Sequence, residues 1–103
     1  MKSNDKKLGC IKNALLIIGD QWTPLIIREL TECPVTFSKL ESSLDSISPR
    51  TLSQRLDRLQ KEKIITKKQY CEHPPRYKYQ LTEKGRELKS VLQAMANWGK
   101  KYH

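Results

Sequence analysis

The chain has 103 residues, enough for one domain, and carries 20 Lys and Arg against 11 Asp and Glu, a formal net charge of +9. A surplus of this sign is the footprint of a polyanionic partner, because each neutralised phosphate releases condensed counterions; a solvated basic surface is the plain alternative. No run approaches the roughly 18 apolar residues of a membrane span and no apolar targeting segment follows the start, so no membrane partner and a cytoplasmic location are expected.

Residues 1–7 are polar and charged without periodicity and read as a mobile basic arm, leaving residues 8–103 as the folded domain. From Ile11 the apolar residues Ile11, Ala14, Leu15 and Ile18 follow helical spacing, and Gly19 ends the run. Leu16 and Ile17 widen its apolar face beyond what one core needs, which points to burial on a second side by another subunit. Thr23-Pro24 reads as a hydroxyl cap followed by proline at the first helical position, with Leu25, Ile26 and Leu30 as the buried stripe. Thr36 can cap a short third helix holding Phe37, Leu40 and Leu44, and Asp45-Ser46 is turn chemistry.

Ser48-Pro49 repeats the cap-plus-proline signal and opens the most informative helix. Leu52, Leu56 and Leu59 form one narrow apolar stripe, while Arg50, Gln54, Arg58 and Lys61 fall on the far side with Thr51 beside them. Ile64 and Ile65 then begin a strand. Tyr77, Tyr79 and Leu81 alternate with Arg76, Lys78 and Gln80, the mark of a half-buried strand, and Glu72 to Pro75 read as the turn of a basic hairpin. Thr82 caps a final helix in which Leu88, Val91, Leu92, Met95 and Trp98 are apolar.

The expected class is therefore mainly α with a small β-hairpin, an α+β winged helix-turn-helix in which the helix after the tight turn enters a DNA major groove. Arg50 and Gln54 suit base edges, since Arg pairs bidentately with guanine and Gln with adenine. Ser48 and Thr51, near the helix start, suit phosphate or thymine contacts, and Lys67, Lys68, Arg76 and Lys78 on the hairpin suit phosphates. Arg55 lies at the edge of the leucine stripe, where a phosphate contact and an intramolecular ion pair are both open. Asp57 would repel phosphates and is read as orienting Arg58, Lys61 or another nearby base.

In the same register the chain resembles the HxlR-type regulators, relatives of the MarR group, from Cys10 to Trp98. The resemblance rests on Ile18-Gly19-Asp20-Gln21-Trp22-Thr23, Ile27-Arg28-Glu29-Leu30, the run Ile47-Ser48-Pro49-Arg50-Thr51-Leu52-Ser53-Gln54-Arg55-Leu56, and Pro74-Pro75-Arg76-Tyr77-Lys78-Tyr79 leading to Leu81-Thr82 and Gly85. It implies a winged-helix homodimer that represses or activates genes, often in response to electrophiles or oxidants. It also implies a recognition helix from Ser48 to Gln54, Pro49 and Ser53 included, and a wing from Pro74 to Lys78. Cys10 stands where the family carries a regulatory cysteine, at the expected start of the first helix, where the positive helix end and Lys6, Lys7 and Lys12 would favour thiolate. Packing at a subunit interface is its other reading. The chain departs from the family at Ile11, where proline is common, at Cys33, where glycine is common, and at Cys71, where no thiol is called for.

Three cysteines cannot close a disulfide framework, so reduced thiols are expected, with Cys33 and Cys71 incidental or resolving partners of Cys10. Cys71 and His73 are the only ligand types close together, so neither a metal nor a cofactor is expected. No glycine-rich phosphate loop or nucleophile elbow is present, which argues against an enzyme. The expected dimer interface comprises Ile11, Leu15, Leu88, Val91, Leu92, Met95 and Trp98. A winged helix that binds protein instead of DNA is the rival reading.

Overall fold

Along the chain, the computed structural model describes residues 2–103, with side chains from residue 8 on. It contains α1 (Lys2–Ile18), α2 (Thr23–Glu29), α3 (Phe37–Ser43), α4 (Pro49–Lys61), β1 (Ile65–Glu72), β2 (Pro75–Leu81), α5 (Glu83–Arg86) and α6 (Leu88–Tyr102). The strands pair antiparallel, with Ile65 opposite Leu81 and Lys67 opposite Tyr79, and the register shifts between Gln69 and Cys71. This is the expected winged helix-turn-helix. No described helix is long and apolar enough to cross a membrane.

The core lies where α2, α3, α4 and the root of the hairpin meet. Ile26, Ile27, Leu40, Leu52, Leu56, Leu59, Ile64 and Ile65 are essentially inaccessible. The leucine stripe of α4 is thus spent on packing, which fixes the opposite face outward. Two caps aim the helix-turn-helix. The Thr36 hydroxyl accepts from the Lys39 amide at 3.1 Å, and Ser48 Oγ accepts from the Thr51 amide at 3.1 Å while donating to Thr51 Oγ1 at 2.9 Å. Each satisfies an amide that the first helical turn leaves without a partner.

An isolated bridge adds what the periodicity did not predict. The Val35 amide donates to the Tyr79 carbonyl at 2.9 Å, and the Tyr79 amide donates back to Val35 at 2.8 Å. Two backbone bonds therefore tie the hairpin root to the segment between α2 and α3.

Three local expectations need correction. The first helix begins at Lys2, not near Cys10; of the arm expected over residues 1–7, Met1 and the side chains of residues 2–7 lie outside the described residues. Thr23 is not the cap of α2. Trp22 holds the capping position without a side-chain bond, and the Asp20 carboxylate receives the Trp22 and Thr23 amides, both at 2.9 Å. Finally, the last helix is two. The Thr82 hydroxyl caps α5 by accepting from the Gly85 amide at 3.1 Å, and Glu87 separates α5 from α6. Glu87 keeps helical dihedrals (φ −64°, ψ −21°), so the break is slight. Gly85 packs closely beside it: a Cβ there would collide with the Ile64 carbonyl oxygen, and this contact seats α5 against the residue that precedes β1.

Candidate nucleic-acid interface

With three leucines buried, α4 presents Ser48, Pro49, Arg50, Ser53, Gln54, Asp57, Arg58 and Lys61 to solvent, and Thr51 is half-buried beside them. The structure exposes every expected recognition-helix residue except Thr51 and Arg55, which are half-buried. Helical spacing sets Arg50, Gln54 and Arg58 four residues apart along one ridge. Such a ridge offers donors matched to base edges at one end and to phosphates along its length.

Of the two readings the sequence leaves open for Arg55, the structure contains the ion pair. Its Nε donates to Asp20 Oδ1 at 3.3 Å, and the two side chains retain 29% and 24% of their accessibility. Asp20 also accepts the Thr23 hydroxyl at 2.6 Å. Burial raises the pKa of Asp20, but the Thr23 hydroxyl, the Thr23 and Trp22 amides and the Arg55 guanidinium outweigh it and hold the carboxyl below its ordinary value. An aspartate three residues before a threonine-proline helix start was the available signal, and the nearer threonine masked it.

Asp57 does not pair with Arg58 or Lys61: the ion pairs among the described residues are Arg28–Glu29 and Arg55–Asp20. Its charge is felt instead at Tyr79, whose phenol is pushed up first by burial and then by Asp57.

The wing cations are exposed, apart from the partly covered Lys78, but they do not share one face. Lys68 stands directly opposite Lys78 across the hairpin, whereas Lys67 pairs with Tyr79 on the other face. Lys67 Nζ lies 4.7 Å from the centre of the Tyr77 ring, and Lys78 Nζ lies 4.9 Å from that of Tyr70. Aromatic faces attract ammonium groups at this range and limit their wandering. Like charges directly opposite disfavour the bare hairpin, and an anion between them removes that penalty. Tyr70 and Tyr77 as seats for the lysines were not legible in the sequence, where Tyr77 shows only as one face of a half-buried strand and Tyr70 carries no pattern.

Away from this surface, Ile11, Leu15, Leu16, Val91, Met95 and Trp98 are exposed, as are Leu8 and Tyr102, which were not anticipated as interface residues. Leu88 and Leu92 differ: they are partly buried against the chain's own core. Their share of any intersubunit contact is correspondingly small. Cys10 is exposed on α1 and unbonded. It sits well inside the helix, so the positive helix end, whose influence fades within one turn, does not act on it. The side chains of Lys6 and Lys7, invoked beside it, lie outside the described residues. Cys33 is exposed and Cys71 half-buried, both as free thiols. Among residues from 8 on, no cluster of three or more His, Cys, Asp or Glu could hold a metal.

Comparison with known proteins places these features in context. The model of the HxlR-like helix-turn-helix family matches residues 17–103. A helix-turn-helix-type transcriptional regulator of Methanothermobacter thermautotrophicus is 33% identical over 99 residues, covering 96% of this chain and 76% of that one. The helix-turn-helix-type transcriptional regulator YodB of Bacillus subtilis is 32% identical over 92 residues, covering 89% and 82%. The quinone-bound structure of YodB superposes with a TM-score of 0.77 at 29% identity, covering 89% of this chain and 96% of that one. The redox regulator HypR in its oxidised form superposes with a TM-score of 0.84 at 27% identity, covering 90% and 96%.

Proposed function

The chain belongs to the HxlR-like helix-turn-helix family, and from that premise we propose that it works as a homodimer whose two α4 helices read the half-sites of a pseudo-palindromic operator in double-stranded DNA. It is a transcriptional regulator of HxlR and MarR type. The observation that carries the reading is α4 itself, with a sealed leucine face and an outer ridge of Arg50, Gln54 and Arg58. Arg50 and Gln54 supply base contacts, Ser48, Thr51, Ser53 and Arg58 hold the adjoining backbone, and Lys67, Lys68, Arg76 and Lys78 grip flanking phosphates. Exposed apolar residues of α1 and α6 supply the dimer contact.

The effector is an electrophile or oxidant, and Cys10 is the responding thiol. Exposure of Cys10 supports this, as do a redox regulator and a quinone-bound regulator among the structural relatives. Addition to this thiol, on the helix assigned to the dimer contact, would shift the spacing of the two reading helices and so the affinity for rigidly spaced half-sites.

The test is selection of bound fragments from genomic DNA, followed by titration of affinity against salt. A steep fall in affinity with salt and recovery of a two-fold symmetric sequence are expected. Salt-insensitive or sequence-blind binding would replace this reading with a protein-interaction role. In the same assay Cys10→Ser should bind normally and ignore a quinone, while Cys33→Ser/Cys71→Ser should still respond.

A further inference from the structure

We infer that Asp20 and Arg55 form a positioning pair that locks the recognition helix to the end of the first helix, so that half-site spacing is transmitted through one carboxylate. The inference rests on the DNA-reading function proposed above and goes beyond it, since neither residue needs to touch a base.

Asp20 stands at a junction of three elements. Through the backbone it follows the end of α1, which closes with the Gly19 amide donating to the Leu15 carbonyl at 2.8 Å. Through Oδ1 and Oδ2 it holds the first turn of α2, taking the amides of Trp22 and Thr23 and the Thr23 hydroxyl. Through Oδ1 it also takes Arg55 Nε, from the middle of α4 and 35 residues away in sequence. Thr23 is itself almost fully buried, at 1% accessibility, so the carboxylate is anchored to the core on one side. Rotation or sliding of α4 relative to α1 therefore has to break a charge-assisted hydrogen bond in a partly desolvated place.

Arg55 also keeps a second capacity. Only its Nε is engaged among the described residues, and the side chain remains 29% accessible, so its terminal nitrogens are available to a backbone phosphate. A guanidinium fixed on one edge and open on the other is a preorganised phosphate donor. The pair thus joins three things: the end of α1, whose apolar face is assigned to the dimer contact, the helix that reads bases, and a phosphate that sets its depth in the groove.

The variants separate this role from a plain contribution to folding. Asp20→Asn keeps an oxygen for the two amides while discharging the pair, and Arg55→Gln leaves the α2 cap untouched altogether. Each would be confirmed as folded by circular dichroism and then measured on the operator selected by the wild type, in its native spacing and with one base pair inserted between half-sites. Both variants should bind the native operator about tenfold more weakly and discriminate several-fold less against the inserted base pair. The double variant should be no weaker than the poorer single one. General destabilisation would instead lower both affinities together and leave discrimination intact. Wild-type discrimination in Arg55→Gln, or single losses that multiply in the double variant, would overturn the coupling while leaving DNA reading in place. A wild type that selects no operator would remove both proposals, a result readily told apart from the first.

Discussion

Arg50 and Asp20 show how differently two charged side chains contribute. Arg50 is exposed and unpaired among the described residues, and its value lies in a partner outside the protein. Arg50→Ala should leave the melting temperature unchanged and relax base preference at one position in each half-site, by about 1–3 kcal/mol; competition binding against operators varied at single positions measures it. Asp20 works inside the fold. Its carboxyl titrates lower in the folded chain than in the unfolded one, so its contribution is complete above the unfolded value of about 3.9 and is lost as pH falls through the folded value. As pH falls below about 4 the wild type should therefore lose stability more steeply than Asp20→Asn, as read from urea midpoints at successively lower pH. In the sequence Arg50 stands out on the outer face of its helix, whereas Asp20 appears only within the stretches that carry the family resemblance. Patterning tells which face of a helix a side chain occupies, but it does not tell which distant element lies beneath that face.

Among the elements, α3, α4 and the hairpin were legible because short-range chemistry decides them: a hydroxyl cap, a proline in the first turn, an apolar stripe, a period of two. The beginning of α1, the division between α5 and α6, and the Val35–Tyr79 bridge were not; the bridge joins residues far apart in sequence. Gly85 illustrates the point. Its role is set by the Ile64 carbonyl packed against it, which no local pattern reports. Gly85→Ala should destabilise the domain by about 1–3 kcal/mol, since the colliding atom is backbone and cannot rotate away. Ala substitution at the equally small but unobstructed Gly99 should stabilise α6 by up to about 1 kcal/mol. Thermal unfolding of the two variants side by side checks both signs. The site followed the same division: the outer ridge of α4 could be read from helical spacing, whereas the engagement of Arg55 and the tyrosine seats of the wing lysines required the folded contacts.

For the molecule as a whole, the distribution of apolar surface carries the strongest expectation. Met95 and Trp98 lie exposed on α6, Trp98 at 67% accessibility, while Leu88 and Leu92 are already occupied by the core. Met95→Asp/Trp98→Asp should yield a monomer in sedimentation at micromolar concentration, folded by circular dichroism but weak on the operator. Leu88→Ala should instead lower stability before it changes the oligomeric state. The hairpin has a consequence of another kind. β2 is bonded to β1 on one side and to Val35 on the other, so its root is internal, while among the described residues β1 keeps an open edge. An open edge is a template on which a second chain can add a strand, and proteins guard against this with lysines. Lys67 and Lys68 sit on that edge, so the charges assigned to phosphate binding also keep copies of the protein from stacking hairpin to hairpin. Replacing both with valine should therefore produce growing light scattering on mild warming, in the absence of any DNA.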